Sequence, residues 1–143
     1  MKLNVIATGI HFLGTSIKNL KIENTIVDIK EVEKRNFGIN INEPRFEKED
    51  DLLYAQISID FEIEIFQSDN EKCNINLTIE GAFASNENIS ENAFKELVVV
   101  NGASALIGIA RGKIEGISAN VFNSGKIVIP FVNVLEYYKS LEE

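Results

Sequence analysis

Few residues in this chain have the type and spacing for chemistry. Cys73 is the only cysteine and His11 the only histidine. A nucleophile of the cysteine–histidine kind needs a thiolate held beside a base. Cys73 opens the run CNINLTIEGAF, in which apolar and polar residues alternate, and it falls on the apolar side. It therefore reads as an inert thiol buried on a strand. His11 stands between Ile10 and Phe12 and reads as an exposed strand residue, not a general base. One cysteine excludes an intrachain disulfide and a metal site built on several cysteines, and one histidine excludes a histidine-paired metal site. Asp60, Glu62 and Glu64 are spaced i, i+2, as a pair for acid–base work or for a hard cation would be on a strand. Alternation alone puts them on the wet side, so they read as a solvated face. Gly102, Gly108, Gly112 and Gly116 fit neither the Walker nor the dinucleotide fingerprint. The expectation is no catalytic residue, no metal, no cofactor and no enzyme. What remains is apolar surface: Phe37, Phe46, Tyr54, Phe66, Phe122 and Phe131 flank the regular segments. Such rings either close a core or line a groove for extended apolar peptide.

The segments that must position these residues follow from periodicity. In LYAQISIDFEIEIF the apolar set is Leu53, Ala55, Ile57, Ile59, Phe61, Ile63 and Ile65, with polar residues between. That is a strand with one wet face. The polar run Gln67 to Lys72 breaks it, and Cys73 to Phe83 alternates again, which predicts an antiparallel hairpin. Ser16 to Glu23 and Phe37 to Phe46 read as two weaker strands. Gly38 and Pro44 mark the latter as irregular or at an edge. Asn24 to Asn36 reads as a charged connection. After Asn86 the period becomes helical. Asn88 or Ser90 can cap, and one long helix is expected from about Ser90 to Asn120. A turn at Asn123-Ser124-Gly125, an extended piece from Lys126 to Pro130 and a short helix from Val132 to Glu142 complete the chain. Strands followed by helices give an α+β fold: a four-stranded antiparallel sheet with one long helix packed on it and a short C-terminal helix.

The long helix carries small residues at Ser104, Gly108, Gly112 and Gly116. A glycine costs an exposed helix interior about 0.8–1 kcal/mol relative to alanine. Its apolar residues also run most of the way round, so it wants cover on two sides. One side is its own sheet. A second subunit is the simplest cover for the other, with Gly108, Gly112 and Gly116 letting two backbones approach as an oligomer interface. A tight helix-on-sheet contact within one chain, or a kinked helix, is the alternative.

The 143 residues fit a single domain spanning 1–143, and 45% hydrophobic residues are enough for a core. Net charge is −8, from 14 basic and 22 acidic residues. That argues against a general nucleic-acid binder and against docking on anionic lipid. The start, MKLNVIATGIHFLG, is not read as a signal peptide. No window reaches about 18 uninterrupted apolar residues, so no membrane insertion is expected. A lone cysteine suits a reducing, cytoplasmic home.

In element order the chain resembles the SecB family of protein-export chaperones. SIKNLKIEN looks like the family's first strand and CNINLTIEGAF like its last. VNGASALIGIARGKIEGIS resembles its long helix, with Ala110-Arg111 at the family's alanine–arginine pair. KIVIPFVNVLEYY resembles the closing segment. The resemblance implies a tetramer built as a dimer of dimers, with helices packed between sheets. It also implies an ATP-independent holdase that keeps unfolded or precursor polypeptides competent for export. By position, Phe37, Ile39, Phe122 and Ile127 would line the client groove. Glu23 matches one acidic position at which the family docks the translocase motor ATPase, but Asn19 and Asn76 stand where the other two acids are expected. Chaperoning is thus better supported than hand-over to the translocase. A SecB-fold protein dedicated to one partner, such as an antitoxin, is the alternative reading. A small α+β enzyme of hot-dog thioesterase type, acting through Glu115 or His11, is a third.

Overall fold

The alternating segments pair as their period demands. The computed structural model describes residues 9–30, 34–86 and 89–142. Five strands, β1 (Ile10–Asn24), β2 (Lys34–Ile41), β3 (Arg45–Glu49), β4 (Leu52–Ser68) and β5 (Glu71–Ser85), form one antiparallel sheet. Its order is β1-β5-β4-β2, with β3 also paired to β4. The sheet has five strands where the sequence suggested four, because the stretch from Phe37 to Phe46 is broken. Pro44 has no N–H to give a ladder. Asn42 ends β2 instead: its backbone N–H donates to the Ser58 carbonyl (3.0 Å), and its Nδ2 donates to the Ser58 Oγ (2.9 Å). The chain then re-enters as β3 beside the first residues of β4. Asp50 and Asp51, both left-handed (φ 50° and 65°), turn β3 into β4. Two such residues match the twist of a two-residue hairpin.

β1 is longer than the Ser16–Glu23 segment read from sequence. It bulges between Phe12 and Gly14 and again between Ile17 and Asn19. Each bulge inserts a residue and shifts the alternation, which hides the first half of the strand from a period-two reading. The hairpin of β4 and β5 is also longer than expected, closing on Ser68 and Glu71.

The inner face of β4 and β5 is the core. Ile57, Ile59, Phe61, Ile63, Ile65, Cys73, Ile75, Leu77, Ile79 and Phe83 are all buried there. Helix α1 (Glu91–Val121) lies on this face. Ser90 caps it, its Oγ accepting from the Ala93 N–H at 3.2 Å, while Asn88 lies outside the described residues. The helix is not uniform: Val98–Gly102 forms a π-helical turn between α-helical Glu91–Leu97 and Ala103–Val121. This turn includes the β-branched residues Val98, Val99 and Val100, where helical propensity is weakest.

Two glycines set the helix-to-sheet distance. A Cβ on Gly81 of β5 would lie 3.0 Å from Leu106 Cδ1, and one on Gly102 would lie 3.2 Å from the Phe83 ring. After α1 the chain turns at Gly125 (φ 88°) and runs extended as a strap to helix α2 (Val134–Ser140), shorter than the Val132–Glu142 expected. Ile127 and Ile129 of the strap are buried. The strap is tied to α1 by the Ile127 N–H donating to Ser118 Oγ (2.7 Å). Arg111 completes the tie, its Nε and Nη2 both donating to the Ile129 carbonyl (3.1 and 3.0 Å).

Candidate polypeptide-binding and interface surfaces

The residues that could do chemistry are held apart from one another. Cys73 is buried, and desolvation pushes its thiol up to about 11, so it is a poor nucleophile at neutral pH. His11 is exposed in β1 opposite Ala84, far along the sheet register from Cys73, which sits opposite Asn24. Asp60, Glu62 and Glu64 lie on the outer face of β4. Asp60 accepts from Thr78 Oγ1 (2.6 Å), Asn42 Nδ2 (3.0 Å) and Asn40 Nδ2 (3.4 Å). The Thr78 bond first, with the weaker asparagine bonds, holds its carboxyl below the usual value against the opposing desolvation. That carboxylate fastens β2 and its break onto β4 and β5. Glu115, on α1, pairs with Lys126 at the start of the strap. Among the described residues no group of three or more histidine, cysteine, aspartate and glutamate side chains could hold a metal ion.

The outer face also collects Asn19, Glu23 and Asn76. Register sets Asn19 opposite Thr78, Lys21 opposite Asn76 and Glu23 opposite Asn74, so the three share one patch across β1 and β5. The patch is weakly acidic at best, because Lys21 Nζ sits 3.1 Å from Glu23 Oε1.

The four residues expected to line a client groove separate into two kinds. Phe37 and Ile39 lie half-buried on the inner side of β2, opposite Ile63 and Phe61, with the Phe37 ring 6.1 Å from that of Phe61. Phe122 and Ile127 are buried in the protomer's own core. Their positions are corrected accordingly: the strap spends Ile127 and Ile129 inward, and alternation turns the intervening residue outward. What the strap and α2 offer to solvent is Val128, Phe131 and Leu135, at 51%, 88% and 56% exposure. Phe131 stacks on the Arg111 guanidinium, 4.0 Å from ring centroid to Cζ. Arg111 thus holds the strap by its carbonyl and presents an aromatic ring to water. In KIVIPF the residues Ile127, Val128 and Ile129 are all apolar, so hydropathy alone does not fix which of them face in.

The glycine stripe faces away from the sheet. Ser104, Gly108, Gly112 and Gly116 are exposed, and a Cβ built on any of the three glycines meets nothing within 4 Å. The tight helix-on-sheet alternative is excluded for these glycines; Gly81 and Gly102 fill that role. By length and composition α1 is apolar enough to cross a membrane, yet only 39% of its most apolar window is buried inside the protomer. Its outer face carries small residues, Ser104, Ala105, Gly108, Gly112 and Gly116, beside polar ones such as Asn101 and Lys113, and it is uncovered in a single chain.

No protein-family model and no curated protein matches the chain. Its fold is shared with solved structures. One is the SecB-like chaperone Rv1957 of Mycobacterium tuberculosis, in complex with a ChAD peptide from the Rv1956 HigA1 antitoxin. It is 9% identical with a TM-score of 0.57, over 86% of this chain and 90% of that one. Another is a protein of unknown function from Streptococcus agalactiae, 10% identical with a TM-score of 0.53, over 87% of this chain and 99% of that one. At such identities the likeness establishes the fold alone: this chain is an α+β protein folded like a SecB-like chaperone.

Proposed function

We propose that this protein is an ATP-independent holdase that binds unfolded or precursor polypeptides on the apolar surface of its helical layer, and that it acts as a homo-oligomer, a tetramer of SecB type, in the cytoplasm. The observation that carries the reading is the strap. An extended segment with Val128 and Phe131 turned to solvent, pinned by Arg111, is a rigid apolar anchor for a chain that has lost its own core. A holdase works by mass action, binding the unfolded state in preference to the native one. The open outer face of α1, with Gly108, Gly112 and Gly116, supports assembly of copies through closely approaching helices. Export by way of the translocase motor ATPase is the least supported element, since the patch of Asn19, Glu23 and Asn76 offers one carboxylate already paired to Lys21.

The test is aggregation of a chemically denatured client diluted into buffer without nucleotide, followed by light scattering. Suppression at stoichiometric excess is expected, and a Val128→Asp/Phe131→Asp variant with native circular dichroism should lose most of it. Failure of the native protein over several unrelated clients sinks the holdase reading. A second reading, a protein dedicated to one partner such as an antitoxin, is favoured by the antitoxin peptide bound to the SecB-like neighbour. Co-purification of one stoichiometric partner, instead of many chains, would select it.

A further inference from the structure

The wet face of the β4–β5 hairpin is not polar along its whole length. Ser58, Asp60, Glu62 and Glu64 point outward on β4, and Asn74, Asn76, Thr78 and Glu80 do so on β5. Past Gln56 the outward residues turn apolar: Tyr54 and Leu52 on β4, Ala82 and Ala84 on β5. Gly14 of β1 lies opposite Ala82, and Leu13, the residue inserted by the first β1 bulge, is 57% exposed beside it. Gly14, Ala82 and Ala84 are small and make a floor. Leu13 and Tyr54 stand on either side of it as walls. The result is a cleft of about 280 Å³ that continues past Leu13 to Leu52 and Ala84, open to solvent along its length. An exposed apolar patch rimmed by polar residues marks an interaction site.

The rim comes from β3. Register turns Arg45, Glu47 and Glu49 outward, opposite Gln56, Tyr54 and Leu52. Arg45 donates to the Gln56 amide oxygen, and Gln56 Nε2 donates to Glu80 (2.5 Å). Lys18 Nζ also lies 3.9 Å from that carboxylate, so both nearby cations are directed at Glu80. Glu47 and Glu49 make no salt bridge among the described residues. Asp50 and Asp51 follow them at the hairpin tip, and His11 stands opposite Ala84 at the far end. The floor is apolar and the uncompensated charge on the rim is negative.

We propose that this groove docks a cationic segment of a second protein. The segment lies extended along β5, seats one aromatic or branched apolar side chain between Leu13 and Tyr54, and sets a lysine or arginine against Glu47 and Glu49. Charge selects this occupant: an acidic segment would meet like charge at the rim, and the net charge of −8 steers cations toward the chain. Shape selects an extended stretch, because the floor is narrow and open at its ends. The groove is separate from the patch of Asn19, Glu23 and Asn76, since Ala82 lies six residues along β5 from Asn76, roughly 20 Å. It also lies on the opposite face of the sheet from the strap and α1. A protomer can therefore hold a polypeptide on its helical layer and this partner on its sheet at the same time.

The test titrates the full-length protein at low ionic strength with a synthetic peptide, acetyl-Lys-Trp-Lys-Lys-amide, and with its acidic counterpart, acetyl-Glu-Trp-Glu-Glu-amide, and follows backbone amide shifts. The cationic peptide should move the amides of Leu13, Tyr54, Ala82 and Ala84 saturably, and the acidic one should not. Replacing both rim carboxylates, Glu47→Gln with Glu49→Gln, should weaken binding roughly three- to tenfold, and added salt should weaken it further. Leu13→Ser, at an exposed side chain, should weaken binding while leaving the circular dichroism native. Equal shifts from the two peptides overturn the proposal. So do the absence of saturable binding, shifts at Val128 and Phe131 with none at Leu13 and Tyr54, or an unchanged affinity in the Leu13→Ser and rim variants. Suppression of aggregation plays no part in this readout, so the holdase reading and this one fail separately.

Discussion

Replacing Gly108, Gly112 and Gly116 together by alanine tests the covered-helix argument directly, because the two outcomes have opposite signs. In a lone protomer an added Cβ at each position meets nothing within 4 Å. Only propensity would change, and each substitution should then stabilise the helix by about 0.8–1 kcal/mol, or roughly 2.5–3 kcal/mol for the three. For a chain of this size that is a rise in Tm of roughly 10 °C. If a second copy lies against the stripe at close backbone approach, the same three methyl groups enter a packed interface. Overpacking costs about 1–3 kcal/mol, and in an isologous contact each methyl appears twice. The assembly should then dissociate at concentrations where the native protein holds together.

The assay is a pair of measurements. Light scattering reads mass, and thermal melts at two protein concentrations a hundredfold apart read linkage, since only an oligomer has a concentration-dependent Tm. If a second copy covers the helix, the native Tm should rise with concentration and the triple variant should have a lower mass. A triple variant that keeps the native mass and gains the full 10 °C, with a melt independent of concentration, refutes it.

Three further outcomes follow from particular contacts. Gly81→Val should destabilise by about 1–3 kcal/mol, because its first side-chain atom would fall 3.0 Å from Leu106 Cδ1 in a buried layer; denaturant unfolding measures it. Arg111→Met should keep the fold but lose roughly 1.5–3 kcal/mol with the charged hydrogen bonds to the Ile129 carbonyl, and free the strap to faster amide exchange at Val128 and Ile129. Asp60 sits below its ordinary value of 3.8, so its hydrogen bonds contribute stability above that pH and lose it as pH falls through the lower folded value. Asp60→Asn should therefore flatten the acid limb of the stability curve below about pH 4, as read by urea midpoints at a series of pH values.

How far sequence reached depended on the length and purity of each period. β4 and β5 were legible because period two runs uninterrupted from Leu53 to Ile65 and from Cys73 to Phe83, and a slip of one residue would expose the whole core face. β1 was half legible: its bulges insert residues at Leu13 and Lys18, and each insertion reverses which parity points inward. The break at Pro44 was visible as an irregularity but not as two strands, since the bonds that end β2 come from Asn42 to Ser58, sixteen residues away. The candidate site divided the same way. Place in the chain alone points to Phe122 and Ile127, whereas burial depends on which side of the strap faces α1, a choice made by Ser118 and Arg111 across the fold.

The glycines show why a stripe in a helix cannot be read from composition alone. Gly81 and Gly102 look ordinary in sequence, yet they set how closely α1 sits on the sheet, because Leu106 and Phe83 occupy the space a side chain would need. Gly108, Gly112 and Gly116 look like the close-contact set and touch nothing in the protomer. A helix interior with three such residues is weakened by an amount comparable to a sizeable part of a domain's net stability, about 5–15 kcal/mol. Alanine at each would remove that cost with no clash inside the protomer. Small residues on an uncovered helix face make physical sense where another backbone comes close to them, which is the contact the triple alanine variant tests.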